Sequence, residues 1–176
     1  MVARACLARA ERTETKHAMR ALTLALFEPD IPQNTGTMLR ACACLGVRAA
    51  IVEPAGFPVS DRAFRRAGMD YLDHVDLMRH DSFETFEKWR HSVARRLVLL
   101  TTRAAVPYTA FAFRADDVLM VGRESAGAPD AVHACADARV VIPIHPALRS
   151  LNVAVAAAIV LGEALRQTAL VPPPAP

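Results

Sequence analysis

Short, almost wholly apolar runs recur along this chain, and each gives way to a polar loop and then to a helical stretch. Five are readable, at residues 21–27, 49–52, 97–100, 118–121 and 140–142. An apolar run this short, with no polar alternate positions, is what a strand buried on both faces looks like. The intervening segments carry helix signals. Residues 34–45 follow two prolines and end at Gly46, and residues 62–68 follow Ser60 and Asp61. Residues 82–90, 129–134 and 151–167 complete the set. Strand–helix alternation of this kind predicts an α/β fold with a mostly parallel sheet and helices on both faces.

A chain of 176 residues suits one domain with a sizeable core, and no internal repeat is visible. We expect a flexible N-terminal extension over residues 1–18, one domain over 19–168 and a Pro-rich tail over 169–176. The net charge of +3 is carried entirely by residues 1–20, and the remainder is balanced. Global charge therefore gives no argument for nucleic-acid binding, and any RNA-binding surface must be a local patch. Cys6, Cys42, Cys44 and Cys135 form no CxxC or Cys/His zinc spacing. They read as free buried thiols of a reducing cytosol, and no metal is expected. The apolar run 151–161 is about half the length a bilayer requires, so a membrane span is not expected.

Four constellations stand at loop-to-helix junctions or on one helix face. The first is residues 28–36, EPDIPQNTG, followed by Arg40. Its prolines stiffen the loop, Asn34 stands at a helix start, and Arg40 offers a guanidinium fork suited to phosphate. The bland alternative makes Asn34 a helix cap and Arg40 a surface charge. The second is Arg62, Arg65 and Arg66, which share one helical face and precede Tyr71. Basic residues beside an aromatic suit RNA phosphate and base stacking, although a solvated helix face fits equally well. The third is residues 122–127, GRESAG, directly after a strand. It is neither a dinucleotide fingerprint nor a P-loop. The fourth is residues 142–152, IPIHPALRSLN, a strand end leading into the last helix. Ser150 and Asn152 flank that helix start with Arg149 beside them, and Ser150 as a plain N-cap is the alternative. There is no nucleophile elbow, and His145 reads as structural or solvent-exposed.

Taken in order, these segments resemble the SPOUT-class RNA 2′-O-methyltransferases, most nearly their small TrmL-like branch. Residues 28–36 with Arg40 look like that family's first motif, residues 122–127 like its second and residues 142–152 like its third. Residues 65–71 and 100–102 also match the branch. The resemblance implies a deep C-terminal trefoil knot, a rare exception to unknotted topology. It implies S-adenosylmethionine as cofactor, held by Leu100, Gly122, Ile142, Ser150 and Leu151. It also implies a cytoplasmic homodimer acting on the wobble nucleotide of tRNA, cytidine or uridine. Arg40, Asn34, Glu124, Ser150 and Asn152 would be the catalytic set, and Arg65, Arg66, Tyr71 and Arg149 would touch RNA.

The chemistry implied is in-line attack of a ribose 2′-hydroxyl on a sulfonium methyl, which requires positioning, proton removal and exclusion of water. A guanidinium stays protonated in proteins, so Arg40 fits phosphate binding and orientation better than the role of a free base. The chain departs from the pattern at Ala154, where many relatives have serine, and at Arg123, which we expect near RNA. Two other readings remain: the same chemistry on another tRNA or an rRNA ribose, and a catalytically silent RNA-binding homodimer.

Overall fold

Alternate side chains of one five-residue strand, β1 (Thr23–Phe27), enter two different hydrophobic cores. Leu24 and Leu26 join one cluster, Ala25 and Phe27 the other, as the two-residue period of a strand requires. A computed structural model of the chain describes residues 22–58 and 74–172. The expected helix 62–68, Arg62, Arg65, Arg66, Tyr71, Cys6 and the extension 1–18 lie outside those residues, as does the end of the tail.

After β1 come α1 (Pro32–Leu45), β2 (Arg48–Val52), β3 (Leu77–His80), α2 (Phe83–Ser92) and β4 (Leu97–Leu100). Then follow β5 (Val106–Pro107), a 3-10 turn at Tyr108–Ala110, β6 (Val118–Val121), α3 (Asp130–Cys135), β7 (Ala138–Val141) and α4 (Val153–Thr168). The seven strands form one sheet in the order β3-β2-β1-β6-β4-β7-β5. Each recorded pairing between these strands is parallel. Helices α1 and α4 cover one face through Met38, Leu39, Ala157, Leu161 and Leu165. Phe86 of α2 and Val132 of α3 cover the other. The expected parallel sheet with helices on both faces is therefore present.

Local chemistry explains most boundaries. Pro32 opens α1, where its missing N–H matters least, and Gly46 closes the helix at φ 65°. Ser82 caps α2 in a reciprocal pair of hydrogen bonds with Thr85. Helix α4 starts at Val153, two residues later than the sequence suggests, because Asn152 rather than Ser150 is its cap. Likewise Ile31, not Asn34, precedes α1, which leaves the Asn34 side chain for another purpose. Of the cysteines described, Cys42 is buried, but Cys44 and Cys135 are exposed, against the expectation of buried thiols. Both exposed thiols sit on the outer faces of helices whose other side packs on the sheet.

The two ends of the sheet differ. At the amino edge, Arg96 grips the fully buried Asp117 through two hydrogen bonds of 2.8 and 2.7 Å. Arg90 bridges Glu87, Asp137 and the carbonyl of Arg95. Removing one partner from a buried pair leaves a charge unmatched, at roughly 3–5 kcal/mol. The carboxyl edge carries the loops instead, and a ligand is expected there in a parallel sheet.

Candidate active site

The loops that follow β1, β4, β6 and β7 all leave from the carboxyl edge. Those after β4, β6 and β7, joined by Ile31 and Asn34, wall a cavity of about 710 Å³. Of the residues singled out from sequence, Asn34, Leu100, Gly122, Glu124, Ile142, Arg149, Ser150, Leu151 and Asn152 line it. Arg40 does not. It lies on the exposed side of α1, two turns beyond Asn34.

A chain of side-chain hydrogen bonds ties three loops together. Asn152 donates through Nδ2 to Oδ1 of Asn34 at 3.0 Å. Asn34 donates through its own Nδ2 to Oε1 of Glu124 at 3.2 Å. The second oxygen of Glu124 accepts the backbone N–H of Asp30 at 3.0 Å. Oδ1 of Asn152 meanwhile accepts the N–H groups of Ala154 and Val155, which caps α4. Each amide thus uses both its oxygen and its nitrogen, which fixes its orientation.

Loop 122–127 is shaped by its glycines. A Cβ on Gly122 would lie 2.5 Å from the backbone of Gly127 and Ala128, so no side chain fits there. Gly127, at φ 70°, turns the chain back so that it exchanges two backbone hydrogen bonds with Arg123. Glu28 closes the other side of the site. It sits at φ 43° without being glycine, a strained backbone that its neighbours must hold. Val52 accepts its N–H at 2.9 Å, and Arg123 binds both its carbonyl and its carboxylate. Arg123 therefore joins the first and second motif loops.

Asp30 is hydrogen-bonded by the hydroxyl of Ser125. Burial pushes its carboxyl up, but hydrogen bonding with Glu124 and Ser125 and the charge of Arg123 outweigh this and leave it below the ordinary carboxylate range. His133 of α3 also lines the cavity, a residue the sequence reading passed over. No local pattern flags it, six residues past the end of the glycine-rich loop. His145 is exposed, its Nδ1 accepting the N–H of Ala147 at 3.3 Å.

Among the described residues, no group of three or more His, Cys, Asp or Glu side chains is arranged to hold a metal ion. No helix described is long and apolar enough to cross a membrane. What the arrangement offers is a cradle of backbone and apolar walls, with neutral amides and one carboxylate at its mouth and arginines beside it. Such a cradle suits a small ligand with both apolar and polar parts.

Comparison with known proteins agrees with this. Residues 21–162 match the SpoU rRNA Methylase family. A protein from Beijerinckia indica named tRNA (cytidine(34)-2'-O)-methyltransferase is 74% identical over 144 residues, covering 82% of this chain and 90% of its own. A solved structure that addresses the 2-OH methylation of C/U34 on tRNA superposes with a TM-score of 0.78 at 38% identity, covering 85% of this chain and 97% of its own. The SpoU methyltransferase AviRb from Streptomyces viridochromogenes, solved in complex with AdoMet, superposes at 0.77 with 27% identity, covering 84% of this chain and 60% of that one.

Proposed function

The chain belongs to the SpoU rRNA Methylase family, and from that premise we propose that it methylates the ribose 2′-hydroxyl of nucleotide 34 of tRNA, cytidine or uridine, using S-adenosylmethionine. The observation that carries this reading is the Asn152–Asn34–Glu124 hydrogen-bond chain, which joins three motif loops around one cavity. The identity to tRNA methyltransferases supports the substrate.

The cavity fits this cofactor on its own terms. Gly122 leaves a bare backbone surface, Leu100, Ile142 and Leu151 give apolar walls for a purine, and Ser150 adds a hydroxyl. When bound, the cofactor supplies an electrophilic methyl group on a sulfonium. The protein's own part is positioning and exclusion of water. Asn34, Glu124 and Asn152 hold the loops in register. Arg40, outside the cavity, binds an RNA phosphate through its guanidinium and turns the ribose toward the methyl. The proton lost by the 2′-hydroxyl passes to an RNA phosphate oxygen, which spares Arg40 the role of a base. Arg149 at the rim, with Arg65, Arg66 and Tyr71, contacts RNA.

We place the methyltransferase domain at residues 19–168, knotted at its C-terminal end and working in the cytoplasm on tRNA. It acts as a homodimer. Leu148, Leu151, Val155 and Ile159 are 66%, 39%, 50% and 36% exposed and run from the cavity rim along α4. An apolar stripe of this kind is a natural subunit contact. A monomer by light scattering at micromolar concentration would contradict it. The activity is tested by incubating the protein with labelled S-adenosylmethionine and total tRNA. Labelled 2′-O-methylpyrimidine is expected. Label in rRNA alone would move the target, and no label in either would refute the reading.

A further inference from the structure

Glu28 holds φ 43°, in a region that glycine enters freely and glutamate does not. What glutamate adds there is a carboxylate. Arg123 binds that carboxylate through Nη2, while its Nε donates to the Glu28 carbonyl at 3.1 Å. One guanidinium thus grips both the strained backbone and the side chain that it carries. Arg123 is itself anchored, because its backbone N–H and carbonyl pair with Gly127 at 3.1 and 2.7 Å.

Three consecutive residues of the loop after β6 hold the loop after β1. Arg123 takes Glu28, Glu124 takes the N–H of Asp30 and the amide of Asn34, and Ser125 takes the carboxylate of Asp30. Behind the same stretch, the N–H of Gly56 donates to the carbonyl of Pro29 at 2.9 Å, and a Cβ on Gly56 would lie 2.9 Å from Asp30. Pro29 and Asp30 are therefore backed by the loop after β2 and faced by the loop after β6. Glu28 is the residue at which the chain leaves β1. Its backbone angle sets the direction from which Ile31 and Asn34 reach the cavity wall.

Resting on the assignment of this site to ribose methylation, we propose that Arg123 is a positioning residue for methyl transfer. By holding Glu28 in its left-handed conformation, it fixes the loop that presents Ile31 and Asn34 to the ribose. It acts through Glu28, to which both of these guanidinium hydrogen bonds go, rather than on RNA or cofactor. Without it, the glutamate backbone relaxes to negative φ and the loop turns with it. Chemistry then slows while both substrates still bind.

The test is steady-state methyl transfer by the full chain, with calorimetric titration of S-adenosylmethionine on each variant. Arg123→Ala should lower kcat about tenfold, with KM for RNA and cofactor affinity within about threefold of the unaltered protein. The second variant combines Arg123→Ala with Glu28→Gly. Glycine takes this φ unaided, so the double variant should regain most of the lost kcat, to within about threefold of the unaltered protein. A direct RNA contact predicts the opposite: KM rises, and a change at residue 28 restores nothing. Either of those results overturns the proposal, as does an undiminished kcat or a loss of cofactor binding in Arg123→Ala. Absence of methyl transfer from the unaltered protein to any RNA removes the assignment of the site, and the proposal with it.

Discussion

Asn34 and Asn152 stand 118 residues apart in the chain and are joined by a hydrogen bond of 3.0 Å between their side-chain amides. That bond ties the first turn of α1 to the cap of α4. Through Asn34, it continues to Glu124 in the loop after β6. Three loops that arrive from different strands are thereby held in one register.

The two amides should fail differently when removed. Asn152→Ala loses the α4 cap as well as the link, so it should lower stability by about 1 kcal/mol and also slow methyl transfer. Asn34→Ala caps nothing and should leave the melting temperature nearly unchanged, while transfer falls roughly 100-fold through misplacement of the loops. Thermal melts beside single-turnover rates separate the two. Equal losses of stability would contradict the assignment of the cap to Asn152 alone.

Gly122→Ala drives a methyl group into the backbone of Gly127 and Ala128, 2.5 Å away. The loop must open to admit it. S-adenosylmethionine affinity should drop at least about tenfold, with a stability loss of roughly 1–3 kcal/mol. Calorimetric titration measures the first and denaturant unfolding the second.

Arg40 lies outside the cavity, so Arg40→Ala should bind S-adenosylmethionine as the unaltered protein does. Its methyl transfer should fall by about 100-fold, and Arg40→Lys should recover little, because a point charge does not replace a bidentate fork. A large loss of cofactor affinity in Arg40→Ala would show that the residue acts on the cavity instead.

His80 packs against the rings of Phe86 and Trp89, and its Nε2 is buried without a partner. Burial holds its pKa below the ordinary histidine value, against the pull of Asp81. The unfolded chain therefore takes up the proton first as pH falls. The stability contributed by neutral His80 is fully present above about pH 6.5 and is lost as pH falls below it. Melting temperature should decline between about pH 7.5 and pH 5.5, and His80→Gln should flatten that decline.

The central strands were plain in the sequence: 97–100 and 118–121 coincide with β4 and β6 to the residue. They are buried on both faces, so nothing polar interrupts them. Strand β3 escaped notice because it is an edge strand with two polar residues in four: Arg79 pairs with Glu53, and His80 packs on Phe86 and Trp89. Two-residue β5 is too short for any periodicity. Strand β7 begins earlier than expected, at Ala138, because Arg139 masks its start. The motif loops were legible as loops before helices, but the partners of their side chains were not. Asn34 looked like a cap. Only the fold brings Glu124, 90 residues away, to its amide and leaves Ile31 at the helix start. Arg123 likewise meets Glu28 across 95 residues, a pairing that local pattern does not encode. His133 carried no signal, since a histidine one turn into a short helix usually does no more than pack.

The most direct test of the account uses two forms of one tRNA that differ by a single oxygen. An unmodified transcript with cytidine at position 34 is compared with the same molecule carrying 2′-deoxycytidine there, each given labelled S-adenosylmethionine. We predict one methyl group per transcript, mapped to the ribose of nucleotide 34, and none on the deoxy form. Equal labelling of both forms would contradict the account, because the methyl would then be going to some other atom.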